Sequence, residues 1–108
     1  MAEQLPEPIA AYIARSNAHD ADACAACFID RAVVRDEGRE MHGTAAIRDW
    51  MATAIKKYAH AVEVITSAKA GDRTIVTCRV SGTFPNSPVE LRYAFTLAGE
   101  KIALLEIG

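Results

Sequence analysis

The segment VELRYAFTL, from Val89 to Leu97, alternates between apolar and other side chains more regularly than any other part of the chain. Successive side chains of a strand point to opposite faces of a sheet, so this pattern predicts a strand with one apolar face. In a chain of only 108 residues, other elements must cover that face. The remaining segments therefore have to supply neighbouring strands and a covering layer.

The first half of the chain carries the helical patterns. Apolar residues at helical spacing predict a first helix over residues 6–17, with two prolines at its start, where proline is tolerated. Asp20 is predicted to cap a short second helix that ends near Phe28. Thr44 is predicted to cap a third helix with a continuous apolar stripe.

Strands account for the rest of the chain. They are predicted over residues 32–36, 39–41, 60–69, 74–84, 89–97 and 101–107. Helices first and an antiparallel meander later indicate an α+β fold, and long strands in so short a chain must curl around the helices. The curled sheet forms a cone with an apolar interior. The pattern does not decide whether that interior is filled or partly empty.

Length and charge limit the classes of protein to which the chain can belong. Its 108 residues suffice for a single domain, 1–108, and 12 Lys and Arg against 14 Asp and Glu give a net charge of −2. Because positive charge is not clustered, we expect neither nucleic acid nor a membrane as a partner. No apolar run could cross a bilayer, and MAEQLPEP lacks the features of a signal peptide, so we expect a cytoplasmic protein.

Cys24 and Cys27 form a C-x-x-C pair, and Cys78 makes the number of cysteines odd. A redox pair would be expected where a helix begins after a strand, whereas this pair lies in an alanine-rich helical segment. No second C-x-x-C or pair of histidines completes a metal site. We therefore interpret the cysteines as small buried residues and expect neither a metal nor another cofactor.

Three stretches together resemble the nuclear-transport-factor-2-like superfamily, in its SnoaL-like and ketosteroid-isomerase-like branch. They are YIARSNAHDADACAACFIDRAVVRDEG, HGTAAIRDW and LAGEKIALLEI, in the right order over nearly the whole chain. GTAAIR, at the start of the third helix, is the most specific piece. The resemblance implies three helices packed in a strongly curved, mixed but mostly antiparallel sheet, with a pocket inside the cone. It also implies a homodimer through the outer face of the sheet.

The resemblance implies two catalytic residues. Tyr12 falls at the family's oxyanion-donor tyrosine, and Asp36 falls at its general-base aspartate. Proton abstraction beside a carbonyl needs such a pair, a base at the carbon and a donor at the oxygen. Each residue keeps a second interpretation. Tyr12 also lies on the buried stripe of its helix, and Asp36 directly precedes Glu37 and Gly38, as a solvated turn acid would.

Five further residues are predicted to bind the substrate. Tyr93 stands where the family places a protonated aspartate, and a second phenol would replace that acid as a donor. Core packing is the favoured alternative for this tyrosine. Met51 stands where the family places a supporting tyrosine, and Trp50 replaces an aromatic pocket residue. Phe28 and Phe95 complete the predicted pocket wall.

The remaining charged residues and histidines receive weaker interpretations. His42 precedes the third helix, where a neutral imidazole could act as base or donor, but a surface position is favoured. His19 and His60 have no partner within sequence reach and receive no role. Arg35 should point away from the neighbouring aspartate because side chains alternate along a strand. Glu106 is expected to face outward and to pair with a basic residue across a dimer.

These features predict a small-molecule pocket protein. Its expected reaction is of the isomerase, cyclase or lyase type, with proton transfer on an apolar, ring-containing carbonyl compound. The alternative is a non-catalytic member of the superfamily that binds a ligand or dimerises, and the departures at Met51 and Tyr93 favour it. The Asp-Arg-Asp arrangement of the epoxide-hydrolase branch has no clear counterpart in this sequence.

Overall fold

The computed structural model of the protein describes residues 5–108, which form three helices and six strands. These are α1 Glu7–Asn17, α2 Ala21–Ala25, β1 Phe28–Asp36, β2 Arg39–His42, α3 Thr44–Tyr58, β3 Ala61–Ala70, β4 Arg73–Ser81, β5 Val89–Ala98 and β6 Lys101–Ile107. Residues 1–4 lie outside the described residues. They belong to the predicted domain 1–108 and to the segment MAEQLPEP, which is predicted to lack the features of a signal peptide.

The six strands form one curled sheet in the order β2-β1-β6-β5-β4-β3. Strands β1 and β6 run parallel, and the four other neighbouring pairs are antiparallel. The sheet is therefore mixed but mostly antiparallel, and it curls around the helices without closing. The predicted α+β fold, with three helices in a cone-shaped, strongly curved sheet, is confirmed.

The regular alternation in β5 has the predicted effect. Tyr93 and Phe95 are buried on the inner face of the sheet, whereas Glu90 and Arg92 are exposed on the outer face. Side chains from α1 and α3 cover the inner face, among them Ile9 and two others that lie fully buried, Ile47 and Met51. The core therefore lies inside the cone, between the helices and the concave side of the sheet.

The predicted second helix extends too far. It ends at Ala25, and Phe28 is instead the first residue of β1, where it pairs with Ile102 of β6. The backbone N–H of Ile102 also donates to the carbonyl of Cys27, at 2.8 Å. An alanine-rich segment favours a helix locally, but pairing with a strand distant in sequence determines the structure of its last residues.

The sequence predicts that Thr44 caps the third helix, but the structure shows that it does not. The cap is Gly43, with φ at 87° and no side-chain cap bond, and Thr44 is the first helical residue. A left-handed φ of this kind favours glycine, which has no Cβ. The N–H of Gly43 donates to the carbonyl of Ala32 at 2.8 Å, so the backbone of β1 holds the start of the helix.

Strand β4 ends at Ser81, before its predicted end at Phe84. The following residue, Gly82, lies against the end of α3, where a Cβ would be 2.5 Å from the Tyr58 carbonyl oxygen. The N–H of Thr83 donates to the same carbonyl at 2.8 Å. The chain therefore leaves the sheet to pack on the helix.

Among the described residues, no helix is long and apolar enough to span a bilayer.

Candidate active site

A cavity of about 270 Å³ lies between the helices and the inner face of the sheet. The interior of the cone is thus partly empty. We call this space the inner cavity. Five of the predicted site residues contribute to its wall, and they are Tyr12, Asp36, Trp50, Met51 and Tyr93. Phe28 and Phe95 do not line it.

Asp36 is the last residue of β1 and lies at the wall of the inner cavity. Its side chain is half-buried, and Trp50 Nε1 donates to its Oδ2 at 3.3 Å. Burial raises the pKa of Asp36, the Trp50 hydrogen bond opposes this rise, and the nearby charge of Glu37 adds to it. The turn itself is made by Glu37 and Gly38, both with positive φ. Asp36 therefore differs from a fully solvated turn acid.

Two phenols face the same cavity as this carboxylate. Tyr12 comes from α1 and Tyr93 from β5, and both are buried. Burial raises the pKa of each phenol well above its usual range, and the charge of Asp36 raises both further. Within residues 5–108, neither hydroxyl donates to a protein group. Both are therefore neutral donors close enough to Asp36 to feel its charge.

Phe28 and Phe95 lie behind Tyr12. Their ring centroids are 5.6 Å and 5.8 Å from that of Tyr12, in edge-to-face arrangements. Both phenylalanines are fully buried in the core. They can orient the Tyr12 ring, but they do not contact the empty space. The alternation in β5 predicted an inward-facing Phe95 but could not indicate its depth in the core, and the sequence pattern placed Phe28 at the end of the second helix.

Several residues of the wall were not predicted from the sequence. Six of these are apolar or aromatic side chains that narrow the cavity, namely Tyr58, Val80, Phe84, Val89, Leu91 and Ile107. Tyr58 and Phe84 pack edge to face, with ring centroids 5.7 Å apart. In the sequence, only their apolar character indicated that these residues face inward. That character does not distinguish a residue of a cavity wall from a residue of a filled core.

His60 is a polar wall residue to which the sequence analysis gave no role. It is 8% exposed, and its Nε2 lies 2.9 Å from Oγ of the buried Ser16. His19 Nε2 lies 2.8 Å from the backbone carbonyl of His60. Burial lowers the pKa of His60, and the nearby His19 lowers it further. Ser16 is 44 residues away in the chain, so no local pattern could have revealed this contact.

A second depression, the outer groove, adjoins the inner cavity. It measures about 440 Å³ and shares Asp36, Trp50 and Tyr58 with that cavity. Its remaining wall is rich in charged side chains, including Arg39 and Lys57. An apolar inner space and a charged outer one therefore meet at Asp36.

Other predicted residues lie outside the inner cavity. His42 is exposed in the outer groove, with Nε2 3.0 Å from Glu40 Oε1. Arg35 lies on the outer face, as expected, and donates to Glu40 at 2.7 Å and to Glu106 at 3.0 Å. Glu106 is also 3.4 Å from Arg73.

The cysteines are free and buried. Burial raises the pKa of Cys24 to about 12 and that of Cys78 to about 11, so both are thiols rather than nucleophilic thiolates near neutral pH. Arg15 Nη1 lies 3.2 Å from Sγ of Cys27. In the part of the chain that the structure describes, no three His, Cys, Asp or Glu residues are grouped to hold a metal.

Comparisons with known proteins match this geometry to a family. The family model of the SnoaL-like domain matches residues 9–104. A crystal structure from Sinorhizobium meliloti, whose protein is provisionally described as a polyketide cyclase, is 39% identical, with a TM-score of 0.92. The match covers 96% of this chain and 95% of that one. No curated protein sequence matches.

More distant solved structures share the fold. One is a Catenulispora acidiphila protein with a ketosteroid isomerase-like fold in complex with trimethylamine, at 20% identity and a TM-score of 0.86, covering 97% of this chain and 86% of that one. Another is SalBIII, an epoxide hydrolase/cyclase-like enzyme in pyran ring formation in salinomycin. It is 22% identical, with a TM-score of 0.81, covering 94% of this chain and 86% of that one.

Proposed function

The chain belongs to the SnoaL-like domain family, and from this membership we propose that it is a proton-transfer enzyme of the isomerase, cyclase or lyase type. Its substrate is a small, apolar, ring-containing carbonyl compound. The observation that carries the proposal is a half-buried carboxylate, Asp36, with a raised pKa, at a cavity that it shares with two phenol donors, Tyr12 and Tyr93. A base of raised pKa is better matched to a weakly acidic C–H group.

In the proposed reaction, Asp36 removes a proton from the carbon beside the substrate's carbonyl group. The electron pair of the broken C–H bond shifts toward the carbonyl oxygen, which acquires the negative charge of an enolate. Tyr12 and Tyr93 donate hydrogen bonds to that oxygen. In an isomerase, protonated Asp36 returns the proton to another carbon. In a cyclase, the enolate carbon attacks a second carbonyl carbon of the same molecule, the π electrons of that carbonyl move to its oxygen, and the resulting alkoxide takes the proton from Asp36.

The size of the inner cavity supports a small substrate. Its volume of about 270 Å³ lies below the roughly 300 Å³ at which pockets for drug-sized ligands begin. One or two rings suit this space better than the four rings of a steroid. Polar substituents of the substrate would extend past Asp36 into the outer groove. The description of the Sinorhizobium meliloti relative favours a polyketide-like compound.

Hydrogen exchange tests the proposal without knowledge of the natural substrate. The bicyclic ketone β-tetralone is incubated with the protein in D₂O, and loss of its α-hydrogens is followed by NMR. We expect the wild type to accelerate exchange and Asp36→Asn to lower the rate by about 10²-fold or more, as for removal of a general base. Asp30→Asn, at an exposed position of the same strand, should exchange like the wild type. Equal rates for wild type and Asp36→Asn would reject the catalytic role.

Binding without turnover is the second candidate function. Met51 and Tyr93 stand where the resemblance places a tyrosine and an aspartate, which favours it. The trimethylamine complex of the Catenulispora acidiphila protein also supports a ligand-binding role for this fold. Under this alternative, the protein binds β-tetralone, and neither the wild type nor Asp36→Asn accelerates its exchange.

We also propose that the protein forms a homodimer through the outer face of the sheet. Val33 and Leu104 pair on that face and are half-buried, and Thr96 lies beside Leu104. An apolar strip of this kind can be buried against a second copy. Light scattering should give the mass of a dimer for the wild type and of a monomer for Leu104→Arg. A monomeric wild type at high concentration would exclude the dimer.

A further inference from the structure

The inner cavity contains a polar group that the proposed reaction does not use. His60 lines this cavity and is 8% exposed. One ring nitrogen, Nε2, is occupied by Oγ of Ser16 at 2.9 Å. The other, Nδ1, is buried and has no hydrogen-bond partner among the described residues. Buried polar atoms are nearly always paired in folded proteins, so an unpaired ring nitrogen at a cavity wall calls for an explanation.

The position of His60 is separate from the group formed by Asp36, Tyr12 and Tyr93. The groups that perturb its pKa are His19 and the backbone of Ala54, whereas the charge of Asp36 raises the pKa of Tyr12 and of Tyr93. The Ala54 backbone lies near the ring and raises the pKa of His60, but no hydrogen bond joins it to Nδ1. His60 is therefore a second polar position of the inner cavity, beside the group that contains Asp36.

We propose that His60 is a specificity-determining residue whose Nδ1 forms a hydrogen bond with an oxygen substituent on the ring of the bound compound. This inference rests on the proposed function and deepens it. The substrate then carries two oxygen functions, a carbonyl at Asp36 and the tyrosines, and a hydroxyl or second carbonyl at His60. A hydroxyl suits either tautomer of His60, because it both donates and accepts.

Calorimetric titration with bicyclic phenols tests this second contact. The probes are β-naphthol and the dihydroxynaphthalenes that contain the same hydroxyl. One gained hydrogen bond corresponds to a roughly 2- to 12-fold gain in affinity. We therefore expect the wild type to bind at least one dihydroxy isomer about 5-fold or more tightly than β-naphthol.

Three variants separate the role of Nδ1 from that of the Ser16 contact. His60→Gln can keep a polar atom near the position of Nε2 but has none at Nδ1, so the preference should disappear while β-naphthol affinity is retained. His60→Asn can keep a polar atom near Nδ1, and Ser16→Ala removes only the partner of Nε2. Both should retain the preference. A preference that persists in His60→Gln overturns the proposal, as does a wild type that prefers no dihydroxy isomer or binds no naphthol.

If the His60 variants do not fold, a measurement on the wild type tests the same hydrogen bond. In ¹⁵N NMR, the Nδ1 resonance of His60 should shift on addition of the preferred dihydroxynaphthalene and remain in place with β-naphthol. An unmoved resonance in both titrations overturns the inference. A failure of the inference about His60 can be distinguished from a failure of the proposed function. Absent α-hydrogen exchange with an intact His60 preference rejects only the catalysis, and the reverse result rejects only the His60 contact.

Discussion

Asp36 shows how one residue connects folding to chemistry. The structure withdraws its carboxylate partly from water, and the Trp50 N–H and the nearby charge of Arg39 stabilise the charged form. Burial is the largest contribution to its pKa, and it raises that pKa. A carboxylate in this setting is a stronger base than an exposed one, and its charge is less favourable in the folded protein than in the unfolded chain.

Replacement of Asp36 by asparagine should therefore stabilise the folded protein at neutral pH. Because the folded-state pKa is raised, the proton on Asp36 contributes stability below the ordinary pKa of about 3.9, and this contribution is lost as the pH rises through the raised value. We expect Asp36→Asn, which keeps an oxygen for Trp50, to exceed the wild type in free energy of unfolding near pH 7. The difference should shrink as the pH falls below about 4.

Urea unfolding over a range of pH measures this difference. Asp30→Asn, on the exposed side of the same strand, controls for the loss of a negative charge. A wild type more stable than Asp36→Asn at neutral pH would show that folding does not disfavour this carboxylate.

At the scale of elements, Asn17 joins the end of α1 to the edge strand β3. Its Nδ2 donates to the carbonyl of Val62 at 2.9 Å, and its Oδ1 accepts from the N–H of the same residue at 2.7 Å. The side-chain amide thus pairs with the strand as a neighbouring backbone would. Because β3 ends the sheet, this pairing covers part of an otherwise open edge.

Asn17→Ala should lower the free energy of unfolding by about 1–3 kcal/mol, since it removes two hydrogen bonds worth about 0.5–1.5 kcal/mol each. Asn17→Asp retains the acceptor for Val62 N–H and loses the donor, so its loss should be smaller. Chemical denaturation compares the three proteins. A change under about 0.5 kcal/mol in Asn17→Ala would mean that water replaces the side chain at no cost.

At the scale of the whole molecule, the cone combines a dry core with an empty inner cavity. Toward one part of the interior, Tyr12, Phe28 and Phe95 pack ring against ring. Toward the other, the helix α3 and the sheet leave about 270 Å³ unfilled. Side chains that border the cavity have fewer packing partners than enclosed ones, so a protein with such a cavity is less stable than a filled version of the same fold.

Ala54→Leu should fill part of the cavity. Because each buried methylene contributes about 0.8 kcal/mol, we expect a gain of about 1 kcal/mol in free energy of unfolding after some strain. Binding of β-naphthol should weaken at least about 10-fold, a loss that calorimetry measures. Ala45→Leu makes the same change on the exposed side of the same helix and should affect neither quantity. Unchanged binding in Ala54→Leu would place the ligand elsewhere.

Much of the fold could be predicted because its signals are local. The alternation in β5 and the helical stripes gave the order and type of the elements, and the resemblance identified a superfamily that the SnoaL-like match confirms. The errors lie at boundaries. Phe28 became a strand residue because β6 pairs with it, and Gly43 rather than Thr44 caps α3 because the chain arrives from β2 with a left-handed turn.

The candidate site was only partly predictable. Matching to family positions indicated Asp36, Tyr12 and Tyr93, and the structure places all three at one cavity. His60 was missed because its partner, Ser16, is close in space and far in sequence.

By itself, the sequence determined an α+β domain with helices inside a curled sheet, because the spacing of apolar side chains along the chain dictates which face of each element is buried. Only the tertiary structure decided which buried side chains border empty space. Phe95 and Tyr93 share one strand face, yet Phe95 is enclosed and Tyr93 meets the cavity. The curvature of the sheet and the seating of α3 against it determine that difference, and both arise from contacts between residues distant in sequence.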